Sequence, residues 1–213
     1  MFLKRPVPST KESLVDKANI IELIQFERFC RDNAQWEEMK KCFTADSKVT
    51  VSWFQGTGVE FVDASSKMKS YAPHKLNNTL VWINDNKAVS LTMATIQCRS
   101  EISGQPVELQ SDVKLLYRTE KIDGTWYVVS IDGIYEKDAL VPVYPNNDIV
   151  VPMEEISKFR TSYANLSYTF SIQGYEIDQS LPGIDAPETV TKLYKVAEIW
   201  LNKNYKEDGR NEL

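Results

Sequence analysis

Histidine is almost absent from this chain: one of 213 residues, His74, carries an imidazole. That excludes multi-histidine metal sites, two-histidine facial triads and histidine proton relays. Cysteine is scarce as well. Cys30, Cys42 and Cys98 are an odd, scattered set with no C-x-x-C spacing, which supports neither a disulfide framework nor a zinc site. Each falls in an apolar periodic segment, where a free thiol behaves as a small core side chain. Cationic blocks are missing: 25 basic residues face 30 acidic ones, a formal charge of −5, so no electrostatic grip on nucleic acid is expected. No apolar run approaches the roughly 18–20 residues that span a bilayer. The opening MFLKRPVPST lacks the apolar stretch of a secretory leader. The expectation is a soluble cytoplasmic protein that binds no membrane. A P-loop, a dinucleotide glycine fingerprint, a GxSxG elbow and a metal-binding loop are all absent, and Gly56-Thr57-Gly58 reads as a turn. Any chemistry is therefore expected to be proton transfer without a cofactor or metal.

What is present is ordinary globular composition, 42% hydrophobic and 26% charged. The length suits one domain with an extension, or two small ones. Residues 9–33 carry Ile20, Leu23, Phe26 and Cys30 at three- and four-residue steps, the spacing of a buried helical stripe. A short second helix with Trp36, Met39 and Phe43 follows, then a strand through Val49, Val51 and Trp53, and a weaker helix over 61–71. From His74 the period becomes two. Leu76, Asn78, Leu80 and Trp82 are expected on one strand face. Turns at Asn84-Asp85-Asn86, Ser103-Gly104 and Asp123-Gly124 separate strands over 88–99, 107–117 and 125–135. Helices followed by an antiparallel meander predict an α+β fold rather than alternating βαβ units. Pro142, Pro145 and Pro152 mark a linker. Beyond it, helical spacing runs over 153–174, and Asp185-Ala186-Pro187-Glu188 opens a further helix in capping-box fashion. Residues 207–213 are expected to fray.

Three segments carry a family resemblance. IIELIQFERFCRDNAQWEEMKKCFTADSKVTV resembles the opening of SnoaL-like proteins, with a long helix, a Trp-containing short helix and Phe-Thr-Ala-Asp before the first strand. HKLNNTLVWINDNKAV resembles the segment in which a histidine opens the next strand. KIDGTWYVVSIDGIYEKDALVPVYP resembles the final hairpin. The chain is thus similar, over about residues 13–145, to the SnoaL-like family of the nuclear transport factor 2-like superfamily. The tail resembles an extension found on a subset of that family. The resemblance implies a cone-shaped α+β barrel, with a strongly curved sheet around the first helix and an apolar pocket at its wide end. It divides the chain into a barrel, 1–145, and a helical extension, 146–213, packed on the barrel or on a dimer partner. Members include dehydratases, cyclases and isomerases as well as non-catalytic binding proteins, and many are homodimers, so the fold leaves function open.

Candidate chemistry follows from that comparison. His74 matches the strand-opening histidine that works as a pocket acid/base, a role suited to a pKa near 6.5. Its plainer reading is a strand-end histidine bonded to a carbonyl. Asp32, near the end of the first helix, is either an orienter of His74 or part of a solvated helix end. Asp112 is either a strand general base at the pocket mouth or an exposed residue between polar Gln110 and Lys114. Phe26, Phe29, Trp53, Trp82, Met93 and Tyr117 are candidate walls for a small hydrophobic ligand. Arg99 is a candidate substrate-binding residue; with Asp112 and Asp32 it could imitate the Asp-Arg-Asp set of the family's epoxide hydrolases, which the resemblance does not align closely enough to assign. A two-histidine dehydration mechanism is excluded, because the stretch from Thr95 to Arg99 holds no histidine. Two functions remain: a cofactor-independent lyase or isomerase acting on a carbonyl-bearing compound, and a non-catalytic ligand-binding or dimeric interaction protein.

Overall fold

The computed structural model describes residues 4–68, 70–146 and 148–203. The fraying expected over 207–213 lies outside the described residues. Helix α1 (Lys11–Asp32) opens at Thr10, whose hydroxyl accepts from the Ser13 N–H while the Ser13 hydroxyl accepts from the Thr10 N–H. Its buried face is not the one expected from hydrophobicity. Ile20, Ile24 and Cys30 are buried, but so are Glu27 and Arg28, while Phe26 is 43% exposed. The two charged residues can sit inside because they pair with each other and Glu27 also accepts from the Tyr117 hydroxyl, which satisfies groups that a hydropathy stripe would place outside.

Helix α2 (Trp36–Lys40) leads into β1 (Phe43–Val51) and a short hairpin partner, β2 (Phe54–Gly56). Helix α3 (Gly58–Ser66) starts one turn earlier than expected. Thr57 and Glu60 form its capping box, with Thr57 N–H to Glu60 at 2.8 Å and Glu60 N–H to Thr57 Oγ1 at 3.3 Å. The meander then runs β3 (His74–Asn84), β4 (Lys87–Ile102), β5 (Gln105–Ile122) and β6 (Thr125–Pro142). Its hairpins turn through Asp85, Ser103-Gly104 and Asp123-Gly124, with Gly104 and Gly124 at φ +76° and +85°. The positive φ that two-residue hairpins demand explains these turn sequences. The sheet order is β2-β1-β6-β5-β4-β3, antiparallel except where β1 joins β6.

A bulge in β3 corrects the expected strand face. Leu76 pairs with Ala94 but Thr79 pairs with Thr92, so β3 carries one extra residue. One residue reverses the alternation. Leu76, Val81 and Ile83 therefore join the inner core, whereas Trp82 packs on the opposite face. Strand β6 also outruns its expected end at Tyr135, because Glu136 is an extra residue beyond which pairing resumes at Asp112 with Lys137.

The C-terminal residues form α4 (Met153–Ile156), α5 (Ala164–Ser171) and α6 (Pro187–Asn202). The single helix expected over 153–174 is interrupted. Arg160 turns the chain there, donating to the carbonyls of Gln179 and Leu181 and to Asp185. Asp185, expected to cap α6, is taken up by Arg160 and by the Ser162 hydroxyl at 2.8 Å, and α6 begins without a side-chain cap. Tyr163, Leu166, Phe170, Ile177 and Leu181 enter the same core as α1, α3 and the inner sheet face. The amphipathic face of α6 covers part of the outer sheet face, with Ala197 and Leu201 against Val89, Leu91, Leu116 and Ile134. The C-terminal helices thus pack on both faces of the sheet. No helix among the described residues is long and apolar enough to cross a membrane.

Candidate active site: an aspartate–histidine pair in a small cavity

Asp32 is the last residue of α1 and His74 the first of β3, so their meeting is set by two element ends. His74 is held on its other side by β4, opposite Ile96, with the Gln97 N–H donating to the Pro73 carbonyl at 3.0 Å. The carboxylate grips the histidine twice. The backbone N–H of His74 donates to Asp32 Oδ2 at 2.7 Å, and Nδ1 lies 3.0 Å from Oδ1. Arg31 Nη1 lies 3.4 Å from the same Oδ1 and donates to the Ala72 carbonyl at 3.1 Å.

These contacts decide the protonation states. Burial pushes the Asp32 carboxyl upward, but the bonds from His74 and the nearby Arg31 outweigh it and hold the group below its ordinary value. The His74 side chain is 6% exposed. Its burial pulls the pKa down to about 4, against the pull of Asp32 and with help from Arg31 and Arg28. At neutral pH the aspartate is charged and the imidazole is not. A carboxylate only accepts, so Nδ1 carries the proton and Nε2 keeps a free lone pair.

The histidine lines a cavity of about 30 Å³, room for roughly one water. Sheet residues Ile96, Val113 and Leu115 form one wall and Arg28 and Arg31 of α1 another. Trp53 and Phe61 close a third side, and Leu166 and Phe170 of α5 cover the cavity. The α5 cover is fastened to β6 by Asp138, which accepts from the Leu166 N–H at 2.7 Å and from Asn165 Nδ2 at 2.8 Å. Tyr135 also lines the cavity. Its hydroxyl oxygen accepts from the Ser52 N–H at 2.7 Å, and burial raises its pKa to about 12, so it keeps its proton.

Of the residues selected from sequence, Asp32, His74 and Trp53 come together here. The others do not. Asp112 projects from the opposite face of β5 to Val113, accepts from Thr95 Oγ1 at 2.7 Å and lies 3.8 Å from Lys137 Nζ. Met93 stands on the outer face of β4, 37% exposed. Arg99, also outside, pairs with Glu108 at 2.6 Å. Phe26 and Phe29 stack on each other at 6.4 Å on the exposed side of α1, Phe29 being 54% exposed. Tyr117 is buried beside Glu27, and Trp82 donates its Nε1–H to the Lys4 carbonyl. The arrangement of Asp32, Arg99 and Asp112 therefore does not assemble. Strand alternation explains Asp112, Met93, Arg99 and Trp82, which have the parity of the outer face, whereas Tyr117 is on the inner face but is buried beside Glu27. Sequence reading missed Arg28, Arg31, Ser52, Tyr135, Leu166 and Phe170. Only Arg28 had a legible signal, its four-residue step to Asp32 along α1.

No family model matches the chain. Among solved structures, a Novosphingobium aromaticivorans protein provisionally named a scytalone dehydratase superposes with TM-score 0.52 at 14% identity, over 68% of this chain and 98% of its own. A type 2 hexachlorocyclohexane dehydrochlorinase gives TM-score 0.53 at 16% identity, over 68% of this chain and 99% of its own. The likeness to these two structures shows a shared α+β fold. About a third of this chain has no counterpart in either of those structures. By sequence, the pea pathogenicity protein 2 of Fusarium vanettenii is 26% identical over 191 residues, 86% of this chain and 82% of that protein. An uncharacterized protein of Emericella nidulans is 26% identical over 207 residues, 89% and 87% of the two chains. These fungal relatives align over more of the chain than the barrel structures do.

Proposed function

We propose that this protein is a cofactor-independent acid/base catalyst, a lyase or isomerase of the SnoaL-like type acting on a small, hydrophobic, carbonyl-bearing compound. One observation carries the reading: a neutral imidazole whose Nδ1 is fixed on a buried carboxylate and whose ring lines a small cavity. Nε2 removes a proton from carbon next to the carbonyl. Asp32 stabilises the imidazolium that forms and keeps the ring oriented. The proton then returns to the departing group in an elimination, or to another carbon in an isomerisation. General base catalysis of this kind is worth about 10²–10⁴-fold. Elimination is also the class named by both structural neighbours, a dehydratase and a dehydrochlorinase. Because α5 leaves room for about one water, an organic substrate requires its displacement.

The size of that cavity favours the second reading, a binding or interaction protein whose pocket has closed. The two separate in heavy water. The full-length chain, incubated with a panel of cyclic ketones, should introduce deuterium next to the carbonyl, and His74→Ala should abolish the exchange. A panel that exchanges no faster than in buffer overturns the catalytic reading and leaves the binding one.

A further inference from the structure

We propose that Arg28 is the anion-holding group of this cavity, and that the site takes a substrate carrying or developing a negatively charged oxygen, a carboxylate or an enolate, against Arg28 Nη1. The inference rests on the acid/base reading of the same cavity and adds the charge of what it binds.

Three observations converge. First, the Arg28 side chain is 5% exposed. Burying a guanidinium is costly even when it is paired, so a buried ion pair is weak evidence of a purely stabilising role. Second, its pairing is incomplete in one direction. Nε donates to Glu27 Oε2 at 2.5 Å and Nη2 donates to Glu27 Oε1. Glu27 is fully buried and accepts a further bond from the Tyr117 hydroxyl at 3.2 Å. Nη1 has no acceptor among the described residues, yet it is not one of the sealed, partnerless polar atoms, all of which are serine or threonine hydroxyls. Third, Arg28 lines the same cavity as His74 and lies near enough to depress its basicity. Glu27, itself bonded by Tyr117, thus holds the guanidinium through Nε and Nη2 and leaves Nη1 unclaimed in a residue that lines the cavity.

Arg31 is not equivalent. Both of its terminal nitrogens are taken, Nη1 by the Ala72 carbonyl and the Asp32 carboxylate and Nη2 by the Met68 sulfur. The charges of the site fit the proposal. Arg28 and Arg31 balance Glu27 and Asp32, and His74 is neutral. When the C–H bond breaks, its proton goes to Nε2 and its electron pair to the carbonyl oxygen. The imidazolium and the enolate then cancel, with the enolate oxygen receiving the Nη1–H bond.

The test uses sodium formate, the smallest carboxylate, at constant ionic strength, with nitrogen NMR of the sole imidazole as readout. Formate should shift the His74 Nε2 resonance saturably in the native chain. In Arg28→Met the half-saturating concentration should rise about tenfold or more, the scale of one charge-assisted hydrogen bond. Arg31→Met should change it much less. If Arg28→Met does not fold because Glu27 is left unpaired, Glu27→Gln/Arg28→Met removes both charges and should show the same loss. No saturable shift in the native chain, or an unchanged half-saturation in the variants, overturns the proposal. The starting spectrum tests the catalytic reading separately: a proton on Nε2 rather than Nδ1 would sink the base assignment without touching the formate result.

Discussion

His74 places its backbone N–H and its Nδ1 on the two oxygens of one carboxylate, that of Asp32, at 2.7 and 3.0 Å. A single side chain at the end of α1 therefore sets both where β3 begins and which imidazole nitrogen is free.

Asp32→Asn keeps the shape and removes the charge. The amide presents one donor where two acceptors were needed. Stability should fall by about 1–3 kcal/mol, the cost of an unsatisfied buried group. Proton exchange on any active ketone should drop by about 10²-fold or more, since the orienting carboxylate is lost. Urea unfolding and the deuterium assay read the two effects.

Acid should destabilise the protein through His74. Its pKa falls from 6.5 unfolded to about 4 folded. Between those values the unfolded chain binds the extra proton, so stability falls as pH falls from 6.5 to about 4 and levels off below. The effect is of the order of a few kcal/mol. His74→Phe should flatten the dependence of the urea midpoint between pH 7 and 5. An unchanged slope in that variant would refute a buried neutral imidazole. The same pKa puts the base limb of activity near pH 4 in the free protein, with rate rising as pH rises through it.

Asp138 acts as the clasp of α5. Asp138→Ala leaves the Leu166 N–H without its acceptor, a loss comparable to a helix cap at about 1 kcal/mol. Amide exchange over 164–171 should quicken, and binding of small ketones should speed up. Unaltered exchange would show that apolar packing alone holds the cover.

Phe170→Ala removes a cover side chain that is almost fully buried. A cost of about 3–5 kcal/mol is expected, together with binding of small aromatic molecules, visible as a ligand-dependent rise in Tm that the native chain lacks.

Asp112→Asn should be silent. The residue faces away from the cavity beside the exposed Lys137, so stability should stay within about 0.5 kcal/mol and exchange activity should be native. A large loss of activity would place the reacting face on the other side of the sheet.

Much of the fold was legible before any coordinates. Asp123-Gly124 announces a hairpin because its turn needs positive φ, and the period change at His74 announces the meander. The site was legible only at its two ends. Asp32 and His74 could be selected because each sits at an element boundary named by the resemblance. Met93, Arg99 and Asp112 failed for a reason internal to strands: alternation is visible in sequence, but which parity faces inward depends on what packs there. Leu80 and Trp82 failed because one extra residue in β3 reverses that parity without leaving a mark in local composition. Phe26 failed because Glu27 and Arg28, paired with each other, take the buried face of α1 that the apolar spacing assigns to it.

Local chemistry in the sequence therefore determined the elements, their order, and the restriction to one imidazole. Those depend on backbone dihedrals, caps and periodicity, which act within a few residues. Tertiary structure alone decided that Glu27 and Arg28 turn inward, that α5 lines the cavity, and that Arg28 and His74 share it. Those depend on pairing between segments far apart in the chain, where a buried charge is tolerated only because its partners are already in place.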